Sequence, residues 1–324
     1  MSRNRFAATR LTAEQAHEVW SQSDEASAFT RPDYLAQLVD EVEWWGVERS
    51  GGVVAAWPLV RAVAGGEIGP PPFCYYVGPM FARSLRADSK YHRYWSVYTG
   101  ILTALIESIV ADHPRFRFSL PLGVTDVRVL EWWNFDHPDE AGFHISPRYT
   151  ARIDLSEFAD TDALRQSFAR IRKREIDPWI AAPPTVLHDV PAERLVGFHD
   201  QALERSGGVI SPSRHAALRR LIGVVKSGAG SIIGVVPPGG DDVEAAVILL
   251  DGPNASNGVF YAASEGWRDR GLTAWIIWLG LLRARELGLR WFDFNGANSP
   301  RRAADKHHYS AKSDLYFDCT FGVP

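Results

Sequence analysis

Residues 271–296 read Gly-Leu-Thr-Ala-Trp-Ile-Ile-Trp-Leu-Gly-Leu-Leu-Arg-Ala-Arg-Glu-Leu-Gly-Leu-Arg-Trp-Phe-Asp-Phe-Asn-Gly. Leu272, Trp275, Ile276, Leu279 and Leu282 recur at helical spacing, so one helix face is apolar. Gly288 fits the left-handed position just past a helix end. Trp291, Phe292 and Phe294 then predict a short buried strand, with Asp293 facing the other way and Asn295-Gly296 closing it. Upstream, Val259–Ala263 predicts another strand. Strand, polar turn, helix and strand make a parallel crossover, the kind of place where α/β proteins bind ligands.

Working outward, Ser231–Val236 and Ala245–Leu250 predict a strand pair joined by the turn-rich Pro237–Asp242. The first half follows a similar plan. Helical segments are expected near 11–22 and 30–41. A hairpin follows, Trp44–Arg49 with Val53–Arg61 around Ser50-Gly51-Gly52. An apolar strand is expected at Phe73–Val77, then a long helix carrying Tyr94, Tyr98, Ile101, Leu105 and Ile109, then a strand at Phe116–Leu120. Hairpin, strand, helix, strand thus occurs twice. The pattern predicts an α/β protein with mixed sheets and two similar domains, 1–148 and 149–324. The second would open on a strand at Ala151–Leu155. A basic helix over 162–176 would stop before Asp177-Pro178, and helices at 191–205 and 212–226 would follow.

Hydrophobic residues make up 46% of the 324 and aromatics 12%, enough for well-filled cores. The net charge of −4 argues against a dedicated nucleic-acid-binding protein but leaves room for a local basic groove. Cys74 and Cys319 match no metal or redox spacing, which fits a reducing cytoplasm. No apolar run follows Met1–Phe6, so no signal peptide is expected. Nor does any apolar stretch reach the ~20 residues that span a bilayer. A cytoplasmic protein without a transmembrane segment is the expectation.

Arg268-Asp269-Arg270-Gly271-Leu272-Thr273 lies between a strand and a helix N-terminus. Free N–H groups and the helix dipole there favour an anion, and glycine permits close approach. Arg268, Arg270, Gly271 and Thr273 are therefore candidates for holding a carrier's phosphates, against the plainer reading of a charged loop. Arg165, Arg170, Arg172, Lys173 and Arg174 either grip phosphates, of a nucleotide-linked substrate or RNA, or form a solvated helix face. Asp293 and Asn295 lie at the ligand-facing end of a parallel strand. Asp293 either receives a proton or caps the next segment, and Glu265 is a second candidate base. Lys306 can neutralise an oxyanion, and Tyr309 can protonate a leaving group; the alternative for both is a surface loop. Tyr75, Tyr76, Arg148 and Asn295 are candidate substrate contacts. Adjacent His307 and His308 do not make a metal site. Gly228–Gly234 precedes a strand, the wrong context for a nucleotide loop, and no Walker or nucleophile-elbow motif occurs.

Taken in order, several segments resemble the FemAB and BioF2-like acyltransferases, which carry two tandem GNAT-like domains. Phe29–Leu35 resembles the family's opening helix, and Tyr76-Val77-Gly78-Pro79 its first-domain strand and turn. Tyr149–Leu155 with the basic helix ending Arg170-Ile171-Arg172-Lys173 resembles the start of its second domain. Trp291–Gly296 resembles its most recognisable segment, and Lys306–Ser310 its closing lysine–aromatic motif with altered flanks. The resemblance implies transfer of an acyl or aminoacyl group from acyl-CoA or aminoacyl-tRNA to an amine. The acceptor would be an envelope precursor, a polysaccharide sugar or a small natural product. In GNAT enzymes the carrier loop has the form Arg/Gln-x-x-Gly-x-Gly/Ala; this chain has Arg268-x-x-Gly271-x-Thr273 and departs at the last position. No sustained heptad run provides the coiled-coil arm of some relatives. The carrier would be a co-substrate, with no tightly bound cofactor. Two rivals are an inert GNAT-like binding module in a biosynthetic complex, and an acyltransferase using an acyl-carrier protein docked on Arg165–Arg174.

Overall fold

A computed structural model of the chain describes residues 6–87 and 90–322. Met1–Arg5, within the stretch read for a signal peptide, lies outside them. In chain order the first half forms β1 (Ala8–Leu11), α1 (Ala13–Ser21), α2 (Pro32–Leu38), β2 (Glu41–Arg49), β3 (Gly52–Arg61), β4 (Met80–Phe81), α3 (Ser84–Ala87), α4 (Tyr91–Asp112), β5 (Phe116–Ser119) and α5 (Arg128–Glu131). Then come β6 (Phe143–Asp154), α6 (Thr161–Ser167), α7 (Arg170–Ala181), β7 (Thr185–Leu187), α8 (Ala192–Ser206), α9 (Pro212–Val224), β8 (Gly230–Val236), β9 (Ala245–Asp251) and β10 (Ala255–Ala263). The chain closes with α10 (Glu265–Arg268), α11 (Leu272–Glu286), β11 (Trp291–Asp293), α12 (Pro300–His307) and β12 (Lys312–Phe321).

Two compact units result: Met1–Arg148 with Leu315–Pro324, and Tyr149–Asp314. The expected second domain ran to 324, but the chain's last residues belong to the first unit. The reason is strand pairing: Asp318–Phe321 of β12 lies antiparallel to Phe116–Ser119 of β5.

In the first unit, Thr12 and Gln15 form a reciprocal capping box that starts α1. Ser50 and Gly51 both take positive φ, the turn that suits a tight hairpin, and they join β2 to β3. The four-stranded sheet runs β1-β2-β3-β4. Trp57 is fully buried, with its ring edge-on to Phe118 at 4.7 Å. Phe73–Val77 is not a strand. Phe73 and Tyr76 sit at φ 68° and 54°, a backbone that cannot extend into a ladder, and the short β4 pairs with β3 instead. The tandem repeat of elements is correspondingly imperfect. Helix α4, at 22 residues, is long and apolar enough to cross a membrane by length and composition alone, a property it shares with core helices. Its face Tyr98, Ile101, Leu102, Leu105, Ile106 and Ile109 is buried in this unit's core.

The second unit is built on the strand order β6-β11-β10-β9-β8-β7. Within it β10 and β11 are parallel and the other neighbours antiparallel. Helix α11 packs on this sheet and against α7. It is buried almost all round, not along one stripe: Ala274, Ile277, Trp278, Leu281 and Ala284 are buried as well as Leu272, Trp275 and Ile276. Sheet on one side and helix on the other account for this. Gly280 lets the helix settle on the sheet, since a Cβ there would stand 3.3 Å from the Phe292 ring. The helix stops in a Schellman motif: Leu289 N–H donates to Ala284 O at 3.0 Å and Gly288 N–H to Arg285 O at 2.9 Å, with Gly288 at φ 68°. Arg283 ties the same end to β9 through two hydrogen bonds to Asp251, 3.1 and 2.7 Å.

The basic helix expected over 162–176 is two helices. Phe168 leaves helical geometry at ψ 151° and is buried, its ring 5.8 Å from that of Trp278 and 5.5 Å from that of Tyr309. Helix α7 then continues through Pro178 to Ala181, five residues past the expected stop at Ile176.

Candidate functional site

The parallel ladder holds Ala255–Asn257 of β10 against Trp291–Asp293 of β11 and stops there. Strand β10 runs on to Ala263, paired only with β9, so the two strands part beyond Asn257 and Asp293. Two devices fix the opening. A bulge between Gly258 and Phe260 shifts the β9–β10 register. The Tyr261 hydroxyl then lies over Gly258, where a Cβ would be 1.7 Å from it. On the other side Asn295, at φ 51°, reaches across: its Nδ2 donates to Gly258 O at 3.2 Å.

Tyr261, past the end of the parallel ladder, also lines a cleft of about 900 Å³ inside the second unit. Tyr261 contributes from β10; Arg268, Gly271, Thr273 and Ala274 contribute from the loop and first turn of α11. Arg172 and Glu175 come from α7, Ala202 and Arg205 from α8, and Ala304, Asp305 and His308 from α12 and its end. Gly271 caps α11 with φ 80°, and no side chain caps the first-turn N–H groups. Those donors and the positive end of the helix dipole open beside Arg268. Three guanidinium groups against two carboxylates give the lining a positive balance suited to an anionic ligand.

Arg172 organises one wall. Its guanidinium bonds Glu175 and Asp305 together, and lies 5.2 Å from the centre of the Tyr309 ring. Burial works against its charge, but Tyr309, Asp305 and Glu175 outweigh that and raise its pKa, so it stays a cation. His308 faces the same cleft, and its Nδ1 is buried with no hydrogen-bond partner among the described residues. Asn295 Oδ1 is likewise buried and unpartnered among them.

The sequence candidates divide. Arg268, Gly271 and Thr273 line the cleft together. Arg270 is not among the lining residues and lies over the Trp267 ring at 4.8 Å. Glu265 is exposed on α10 and does not line the cleft. Asp293 is buried and engaged: its Oδ1 accepts from Thr150 Oγ1 at 2.5 Å and from Asn295 N at 2.7 Å. It shapes the turn, which is its capping alternative. Lys306 is on a helix, not a surface loop; its Nζ donates to Asn295 O and, at 2.6 Å, to Gly296 O. The lysine therefore grips the backbone of the turn at the strand opening. Tyr309 is fully buried in the core between Phe168 and Phe294, behind Arg172, and does not itself line the cleft. Burial pushes its pKa up, so the phenol keeps its proton. Tyr75, Tyr76 and Arg148 belong to the first unit: Tyr76 is buried against Tyr316, and Arg148 pairs with Asp318 at 2.8 Å. The basic run is dispersed. Arg165 pairs with Asp177, Lys173 donates to Gln166 O, and of the run only Arg172 lines the cleft.

Sequence reasoning missed Glu175, Arg205, Tyr261, Asp305 and His308. No local motif marks them, because four different elements bring them together. The one available signal was Gly258, a glycine inside a strand pattern, which commonly marks a bulge.

No family model matches the chain, and no curated relative does. Solved structures do. FemX superposes with a TM-score of 0.68 over 96% of both chains at 12% identity. A tandem GNAT protein from the clavulanic acid biosynthesis pathway matches with a TM-score of 0.56 over 99% of both chains, also at 12% identity. L-PGS from Bacillus licheniformis matches at 0.52, 12% identity, over 94% of this chain and 90% of its own. With its mixed α/β units and parting parallel strands, the chain has the FemAB-like tandem GNAT fold.

Proposed function

We propose that the second unit is an N-acyltransferase, moving an acyl or aminoacyl group from a carrier, acyl-CoA or aminoacyl-tRNA, to an amine. The observation that carries the reading is a positively lined cleft at the uncapped start of α11, walled in part by Tyr261 of β10 beyond the end of its ladder with β11. The carrier's phosphates would sit on the α11 N–H groups beside Arg268, and its acyl end would enter between the strands. Polar backbone there would hold the carbonyl oxygen as charge develops, an interaction typically worth about 3 kcal/mol per donor. The acceptor nitrogen attacks the carbonyl carbon, the new C–N bond forms, and the bond to the carrier's sulfur or oxygen breaks. The amine's proton passes to His308 or solvent and returns to the leaving group. An imidazole suits that exchange because one ring nitrogen can accept a proton while the other donates one. Lys306 acts indirectly, by positioning the Asn295–Gly296 turn. The acceptor class we favour is an envelope precursor, a polysaccharide sugar or a small natural product.

Thermal unfolding with CoA, acetyl-CoA, longer acyl-CoAs and aminoacyl-tRNA tests the reading, since a ligand of the native state alone raises the midpoint. One carrier class should stabilise; no shift with any of them favours the inert-module alternative. With an active carrier in hand, Lys306→Ala is expected to lose about 1–2 kcal/mol of stability, as charged hydrogen bonds to two carbonyls disappear, and to lower turnover about tenfold. His308→Gln should lower turnover with stability nearly unchanged. Wild-type rates in both variants would remove these residues from the mechanism.

A further inference from the structure

Away from the cleft lining, helices α8 and α9 bring three metal-ligating side chains together. His199 and Asp200 are neighbours on α8, and His215 is on α9. His215 Nε2 stands 2.6 Å from Asp200 Oδ1, and His199 Nδ1 stands 3.3 Å from the same oxygen. The three donor atoms all lie within 4.8 Å of one another. In a tetrahedral zinc site, metal–ligand bonds of about 2.0–2.2 Å put donors roughly 3.4 Å apart. Small rotations of the His215 and Asp200 side chains would reach that spacing. His199 is 5% exposed, whereas the side chains of Asp200 and His215 keep about a quarter of their surface, 26% and 23%. A bound ion would therefore have an entry path and a solvent-facing fourth position.

We infer that His199, Asp200 and His215 form a binding site for a divalent first-row transition ion, with zinc as its best-suited occupant. Two imidazoles and one carboxylate are the donor set such ions favour over magnesium or calcium, which take all-oxygen shells. The ion would displace the hydrogen bonds to Asp200, each ring turning a lone pair inward and carrying its proton on the other nitrogen. Its effect would be to tie α8 to α9 across Gly207–Ser211, a connection that includes the 79% exposed Val209. Because α8 also supplies Ala202 and Arg205 to the cleft wall, the tie would steady that wall. The inference does not depend on acyl transfer.

The test uses full-length, tag-free protein stripped with chelator. Calorimetric titration with zinc chloride should show about one ion bound per chain at micromolar affinity or tighter. Cobalt(II) should give the visible bands of a low-symmetry N/O site, and the unfolding midpoint should rise by several degrees, about what ligand linkage supplies at excess metal. His215→Gln keeps an N–H donor for Asp200 but offers no imidazole, and Asp200→Asn keeps an acceptor but no charge. Either is expected to weaken zinc at least about tenfold, the scale on which ligand-shell changes act, while His137→Ala, on the surface of the other unit, leaves it unchanged. Absence of saturable uptake by the wild type, or equal affinity in both site variants, would overturn the proposal.

Discussion

Gly271→Ala is expected to cost about 3 kcal/mol of stability and to abolish carrier binding. Two effects add. The glycine holds φ 80°, where an L side chain costs roughly 1–2 kcal/mol. The space its Cβ would enter is occupied by α7: Glu175 Cβ lies 2.7 Å away and Glu175 O 2.9 Å. Overpacking of this kind typically costs about 1–3 kcal/mol, since a helix backbone must move. Moving α7 away would also displace Arg172 and the first turn of α11, so the loss of binding should exceed the loss of stability. Gly288→Ala is the matched control. It too has positive φ, 68°, but nothing lies within 4 Å of the added carbon, and it should cost only about 1 kcal/mol. Chemical denaturation of both variants checks this. Equal losses at the two positions would show that the approach of α7 to Gly271 has no energetic weight.

Arg172→Ala should lower stability by about 2 kcal/mol and weaken carrier binding. One guanidinium, 14% exposed, holds two carboxylates from different helices. Removing it leaves Glu175 and Asp305 facing each other in the cleft without a counter-ion. Breaking a fully buried pair costs about 3–5 kcal/mol, but these carboxylates keep 28% and 47% of their side-chain surface, which screens the repulsion. The packing of the guanidinium over the Tyr309 ring is lost as well. Arg172→Lys should recover only part, because one ammonium replaces two separately engaged nitrogens. Full recovery by lysine would mean that charge alone matters there. Denaturation and carrier titration of the two variants separate these outcomes.

What was legible in the sequence was local. Gly288 marked the end of α11 because only its φ closes that motif, and Ser50-Gly51 marked a hairpin for the same reason. The Arg268–Thr273 loop was legible as a helix start from chain order alone, and three of its four candidate residues line one cleft. Readings failed where distant residues decide. Phe168 breaks the basic helix because Trp278 and Tyr309 provide a pocket for its ring. Phe73–Val77 has the composition of a strand but a backbone bent at Phe73 and Tyr76. Lys306 and Tyr309, three apart in sequence, meet different fates: one reaches back to the turn carbonyls and the other fills the core. For Asp293 the sequence left base and cap open, and it could not show the hydrogen bonds Asp293 accepts from Thr150, on another strand, and from the Asn295 N–H of the turn.

Hydrogen–deuterium exchange with and without saturating acyl-CoA, repeated with aminoacyl-tRNA, tests the central claim most directly. Carrier binding at the opened strands and the α11 start should slow exchange in peptides covering 258–263 and 268–276 for one of the two carriers. Protection confined to other segments, or none with either carrier, would contradict the placement of a transfer site in this cleft.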